Sequence, residues 1–449
     1  MVAAGALARE YRDELLGRVG GVFARREPRL QAGKYVRALT GEVPRKNGWQ
    51  IAEWAGDATP DKTQRLLNHA VWDEQAAMGV VAGFVAEHLG AGDDPLAVVV
   101  LDESGQEKKG ESTCGVKRQY VGCAGRVSNA VNVVYATLAT VRGHALAGAW
   151  PYLPREWAED RHRRAQAAVP EHVVFKTKPA LAVDILTGLH AAGLLPPWAT
   201  GDEVYGRDKA LRDFCEQHSV GYVFGVPCSF TVTLTSGRRV RADQALKLVP
   251  PKGWNRASCG AGSKGDRTYG WAWIGTASDR HHLLVRRNLT DPTDVAFFYC
   301  WVPTGRPATL PILVAIAGRR WPVEEDFQIG KDHFGLDHSQ VRLYTALLRH
   351  LVLTMLALAA CAVTAAAMRA STNTAAQPPT HPDDEPPADP GLIPLTVAEV
   401  KRLTNLLTHT GQRLTHHLQW SWWRRRHQAR ARWFHHRNRL RRSLQPAQT

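Results

Sequence analysis

Three acidic residues stand where carboxylates can do chemistry. Asp102 closes the apolar run PLAVVVLD, Asp202 follows WATG, and Glu324 lies in GRRWPVEEDFQIGK. The first two come at the ends of short apolar runs that read as buried strands, so both carboxylates are held partly away from water. Three converging carboxylates supply hard oxygen ligands for divalent metal ions, the usual equipment of phosphodiester chemistry. Each acid also has a plainer reading: Asp102 as a turn residue or helix cap, Asp202 as the N-cap of the helix at 207–217, and Glu324 as one partner in surface salt bridges. Glu325, Asp326 and Asp332 sit beside Glu324, and Glu325 is a rival for the same ligand position. Arg320 precedes Glu324 by one helical turn and Lys331 follows it by two, which places all three on one helix face. A carboxylate flanked by cations suits a metal-bound phosphodiester, the acid on the metal and Arg and Lys on phosphate oxygens. Lys108 and Lys109, a few residues past Asp102, are placed to steady such a phosphate.

The elements around these residues follow from periodicity. Residues 1–95 carry apolar positions three and four apart and read as an all-α N-terminal domain. Within it, WQIAEWAGDATPDKTQRLLNHAVW has a helix, turn, helix layout whose second helix presents Lys62, Gln64, Arg65 and Asn68, either to DNA or simply to solvent. Residues 96–225 alternate strands and helices, the pattern of a mixed α/β sheet. A β-rich insertion is expected over 226–310, and helices return over 311–368. Trp254, Trp271, Trp273 and Trp301 of the insertion fit core packing better than base stacking. Residues 351–368 hold eighteen uncharged residues, Ala- and Thr-rich, which read as a buried core helix rather than a membrane span. The Pro-rich stretch 369–394 is expected to be a disordered linker, and 395–449 a basic DNA-binding tail.

Charge distribution separates the tail from the rest. The chain has 449 residues, 44% hydrophobic and 22% charged, with a formal net charge of +15. Twelve Lys or Arg and no acid fall after residue 400, so most of the excess is in the tail. Arg424, Arg425 and Arg426 follow Trp420, Trp422 and Trp423 there, a mixture that suits phosphates and stacked bases. The seven cysteines show no metal-ligand spacing and read as reduced thiols of a cytoplasmic protein. The first residues lack a signal-peptide core.

Taken in order, LDESGQEKKG, GVKRQYVGCAG, GDEVYG, GRRWPVEEDFQIGKDHFGLDHSQVR and the tail block WSWWRRRHQARARWFHHRNR resemble the insertion-sequence transposases of the DDE class. The branch it resembles carries a Tyr-x2-Arg-x3-Glu-x6-Lys signature; Arg320, Glu324 and Lys331 match, and Ala317 stands where the Tyr would be. The resemblance implies an RNase H-like core, a mixed five-stranded sheet with the β-rich insertion. It implies Asp102, Asp202 and Glu324 as catalytic and metal-binding residues, with two Mg²⁺ ions that Mn²⁺ can replace. It also implies Arg320 and Lys331 on phosphates near the scissile bond. The expected partners are DNA, as terminal inverted repeats and as target, and a second copy when two ends are paired, in the nucleoid and away from any membrane. Two other readings remain open: a transposase-derived DNA-binding protein without catalysis, and a hydrolase that uses two carboxylates without metal.

Overall fold

Strand β1 (Val98–Glu107) is the axis about which the chain is arranged. Its Val-Val-Val-Leu start is buried on both faces, as β-branched residues in a central strand should be. The computed structural model describes residues 2–57, 59–122, 125–262, 265–407 and 414–444, and in the last stretch no side chains for 414–421, 423, 424, 427 and 442–444.

Among the described residues, five α-helices precede β1: α1 (Val2–Val19), α2 (Arg26–Thr40), α3 (Gly48–Trp54), α4 (Asp61–Asn68) and α5 (Glu74–His88). Two begin on side-chain caps, Asn47 accepting from the Trp49 and Gln50 amides and Asp73 from Gln75 and Ala76. Helices α3 and α4 form the expected helix, turn, helix layout, with Lys62, Gln64 and Arg65 exposed and Thr63, Leu66 and Leu67 turned inward.

After β1 come β2 (Lys117–Val121), β3 (Arg126–Ala139) and β4 (His144–Pro151), then α6 (Arg155–Glu159), α7 (Arg161–Gln166) and α8 (Lys178–Ala191). Strand β5 (Trp198–Gly201) leads through α9 (Glu203–Gly206) and α10 (Lys209–Gln217) to β6 (Gly221–Val226). Strands β4, β3 and β1 are antiparallel neighbours, whereas β1, β5 and β6 are parallel. Strands β7 (Thr231–Thr233) and β8 (Arg239–Arg241) form a separate pair followed by α11 (Ala242–Leu246). Strands β9 (Trp254–Gly262), β10 (Gly265–Gly275), β11 (His281–Arg287) and β12 (Val295–Trp301) then attach to β6 through β12.

The sheet is therefore larger than the five strands expected. It has ten, because the long strands of the insertion continue the core sheet rather than building a domain apart. The reason is visible at β6: Phe297–Trp301 pair with Val226–Tyr222, so the edge that β6 would have left open is covered. Trp271 is buried in the cluster that joins the two halves, while Trp254, Trp273 and Trp301 pack around it or in neighbouring clusters.

Helices α12 (Leu310–Gly318) and α13 (Pro322–Ile329) return to the core, and α13 continues into one π-helical turn, Gly330–Phe334. Next is α14 (Tyr344–Ala367), long and apolar enough to cross a membrane, but its most apolar stretch is enclosed by protein. Arg349 on α14 donates to the Leu67 and Trp72 carbonyls and pairs with Glu74, and His350 meets the Tyr35 hydroxyl at 2.9 Å. Both tie α14 to the N-terminal helices. Short α15 (Arg369–Thr372), α16 (Val397–Leu406) and α17 (Leu414–Leu444) follow. The Pro-rich stretch between α15 and α16 has defined partners: Thr374 bonds Leu392, Ala376 bonds Pro390, and Arg425 of α17 caps the Thr372 and Ile393 carbonyls. Few of its own amides can pair, so side chains from α17 satisfy it instead.

Candidate active site

Register places the first two acids together. Leu101 on β1 is paired with Gly201 on the parallel strand β5, and Asp102 and Asp202 are the next residues of each chain. Neighbouring strands run ~4.8 Å apart, so the two backbones are adjacent where the side chains emerge. Asp102 accepts from the Glu103 amide at 2.8 Å. Asp202 caps the short α9, accepting from the Val204 amide at 2.8 Å, whereas the helix it was expected to cap, α10, begins on Asp208, which accepts from the Leu211 amide at 2.9 Å. A short backbone approach sustains this corner: a Cβ at Gly206 would collide with the Gly225 carbonyl of β6, which only glycine avoids.

The third acid arrives through an arginine. At the turn between α12 and α13, Arg319 turns back to Asp94 and the Leu96 carbonyl below β1. Arg320 reaches Asp102 at 3.4 Å and Glu324 at 2.6 Å. Glu324 thus faces the pair of aspartates with Arg320 interposed. Glu325 points elsewhere, to His144 Nε2 at 3.2 Å, and buried Asp326 takes His144 Nδ1 at 2.9 Å and the Thr137 hydroxyl at 2.8 Å. Of the two adjacent glutamates, Glu324 is the one on the Asp102 side.

Electrostatics set this corner apart. Burial pushes the Asp102 carboxyl up to about 7, Asp202 adds to the rise, and Arg320 only partly offsets it. Asp202 is also raised, by burial and then by the charge of Glu103, against its cap bond from Val204. Both shifts run in the direction expected where buried acids lie close together with too little positive charge to answer them. Glu103 is a residue the sequence reading passed over. It is held by Lys178 of α8 at 2.5 Å and by the Tyr205 hydroxyl at 2.9 Å, which answers its charge. Its only signal was its place beside Asp102; nothing at sequence spacing links it to Lys178.

The other expected DNA contacts fall in different places. Lys331 lies half-buried on the π-helical turn and, among the described residues, makes no ion pair with the three acids. Ala317 is packed in the cluster with Cys259 and Val323, so the position that departs from the signature faces the core. Lys108 and Lys109 do not steady anything at the acids. Strand β1 runs straight on through Glu107, paired with Ala130, and carries them ~20 Å away along the strand. In the tail, Arg425 is turned inward onto backbone carbonyls, Arg426 pairs with Asp389 at 2.8 Å, and the Arg424 side chain lies outside the described residues.

Residues 18–276, more than half of the chain, match the family described as DDE superfamily endonuclease. The chain belongs to the DDE superfamily endonucleases. The matched stretch contains Asp102 and Asp202 and stops before Glu324, whose place is given by Arg320 alone. The probable transposase for insertion sequence element IS701 of Microchaete diplosiphon is 24% identical over 219 residues, 47% of this chain and 53% of that protein. This DDE superfamily chain thus spans about half the length of that curated relative. Together the two matches bear out the resemblance to insertion-sequence DDE transposases. Among solved structures, the piggyBac transposase synaptic complex with hairpin DNA aligns with a TM-score of 0.40 at 10% identity, over all of this chain and 82% of that one.

Proposed function

We propose that this DDE superfamily endonuclease is the transposase of an insertion sequence, cutting DNA at the element's ends and joining the freed 3′-ends to target DNA. The observation that carries the reading is the pairing of Asp102 and Asp202 at adjacent parallel strand ends, with Glu324 drawn in by Arg320. The order β4–β3–β1–β5–β6, antiparallel and then parallel, supports an RNase H-like core.

The donor set fits divalent metal. Asp102 and Asp202 are hard oxygen donors, buried, mutually repelling and short of positive charge. Among the described residues, no three acids, histidines or cysteines stand close enough to hold an ion as they are, because Arg320 occupies the space between Asp102 and Glu324. Two Mg²⁺ or Mn²⁺ ions on Asp102, Asp202 and Glu324 would supply an activated water or 3′-hydroxyl and a stabilised leaving oxygen. Arg320, released from the acids, is placed to bind a non-bridging phosphate oxygen. The Glu103 carboxylate is already taken up by Lys178 and the Tyr205 hydroxyl, which supports a donor set of Asp102, Asp202 and Glu324 without it. The partners on this reading are the terminal repeats, target DNA and a second copy that pairs the ends, in the bacterial nucleoid.

The catalytic reading is favoured over a binding protein without activity because the two paired acids, Glu324 and its arginine are all present in one place. Cleavage of a plasmid bearing the element's ends, in Mg²⁺, tests it with wild type and Asp102→Ala. Wild type is expected to nick the ends and the variant not to. Equal inertness sinks the catalytic claim, and cleavage that persists in EDTA would instead support metal-free hydrolysis.

A further inference from the structure

Away from the acids, two cavities of about 700 and 720 Å³ adjoin and share Arg45, Ser339, Gln340 and Arg342 in their walls. One wall is the α3–α4 pair, the other the far end of β1 and the start of β3. The charge of this cleft is lopsided. Arg45, Lys109 and Arg342 are exposed in it, and among the described residues none has an ion-pair partner. The one acid lining either cavity, Glu107, is answered by Arg126 at 3.1 Å. Lys108 plays a different part: its ammonium donates to the Ser339 carbonyl at 2.5 Å and pins the loop at 335–342 against β1. Exposed cations kept apart from acids and gathered into a groove are matched to a polyanion.

The lining also distinguishes between polyanions. Gln64 and Asn68 stand one turn apart on α4 and line the same cleft, above the cations. Amide side chains on an exposed helix face can read base edges in a major groove while the cations fix the backbone. A track for single strands would need a row of aromatics, and Trp49 is the one exposed aromatic in the lining. The cleft begins where β1 ends, ~20 Å from Asp102, or about six base-pair steps.

From these observations we infer that the cleft between α3–α4 and the β1–β3 end holds the phosphate backbone of double-stranded DNA, with α4 facing the groove. The inference rests on the transposase reading for its partner, and it adds a docking surface remote from the acids that uses Arg45, Lys109 and Arg342.

Binding of the full chain to a labelled random-sequence duplex of about 30 base pairs, followed by anisotropy across a salt series, tests it. Arg45→Gln/Lys109→Gln/Arg342→Gln should weaken binding and reduce the slope of log affinity against log salt by about 2 to 3. All three residues are exposed, so the melting temperature should hold; should it fall, Lys109→Glu alone is expected to cut the slope by about 1 or more. An unchanged slope overturns the inference, and so does a variant that loses single-stranded oligonucleotide while keeping duplex. Lys252→Gln, an exposed cation outside both cavities, is expected to bind with the wild-type slope. Should Asp102→Asn cleave like wild type while the cleft variant loses its slope, the catalytic reading fails and the cleft stands.

Discussion

The two faces of α13 are built from the same residue type to opposite ends. On one, Glu325 and Asp326 meet His144 of β4, and Thr137 of β3 completes the ring of bonds. Burial alone would push His144 down, but Asp326 and Glu325 outweigh it and lift it to about 10, so it stays charged and the acids are answered. On the other face, Glu324 shares Arg320 with Asp102, while Asp202 stands by with no cation of its own among the described residues. One face is electrostatically closed and fixes the helix; the other is left short of positive charge, which is the condition for binding something. The closed face is also what aims the open one, since rotation of α13 that freed Glu325 would swing Glu324 away from Asp102.

Breaking the open face should cost activity and little else. Asp102→Asn is expected to lower end cleavage at least about a thousandfold, ~4 kcal/mol in barrier height. Because the Asp102 carboxyl is raised to about 7, its ionisation above that pH works against the fold. The Asn variant should therefore melt no lower than wild type at pH 8, and a clear fall would mean the acid is structural. Glu324→Gln should lose about a hundredfold in cleavage with its melting temperature held.

Breaking the closed face should do the reverse. His144→Ala strands Asp326 in the interior and should cost about 3–5 kcal/mol by denaturant unfolding; a loss under ~1 kcal/mol would erase the contrast between the faces. His144 also predicts a pH dependence. Its folded pKa, about 10, lies above the ordinary 6.5, so its contribution is complete below about 6.5 and drains away as pH rises toward 10. Unfolding measured over that window should show an alkaline decline that His144→Ala flattens. The smallest effect is expected from Glu325→Gln: Glu325 is half exposed, so under ~1 kcal/mol of stability and cleavage within about twofold of wild type. Equal losses from Glu324→Gln and Glu325→Gln would mean both faces serve the same site.

What sequence could show divides along the same line. The placement of Asp102 and Asp202 at strand ends was legible because an acid at the end of an apolar run is a local pattern, and the pairing of Arg320 with Glu324 because helical spacing is local too. The choice between Glu324 and Glu325 was not legible, because it is made by His144, some 180 residues away on β4, whose surroundings in sequence are unremarkable. Glu103 stayed hidden for the same reason, its partners being Lys178 and Tyr205. Lys108 and Lys109 were misplaced because the extension of β1 to Glu107 depends on β3 as a partner, which no run of apolar residues announces. The insertion's strands were visible as strands, but their fusion to β6 is a pairing between distant segments and leaves no local trace.

Helix α14 has a consequence in time rather than in space. It is the surface on which α1, α2 and α5 complete their packing, yet it is made only after some 340 residues have left the ribosome, and Tyr35 waits 315 positions for His350. Contacts so distant in sequence close slowly and leave early segments exposed meanwhile. The N-terminal helices therefore cannot settle ahead of the sheet, and a chain that ends before α14 should yield neither part folded, which limited proteolysis of such a fragment would show.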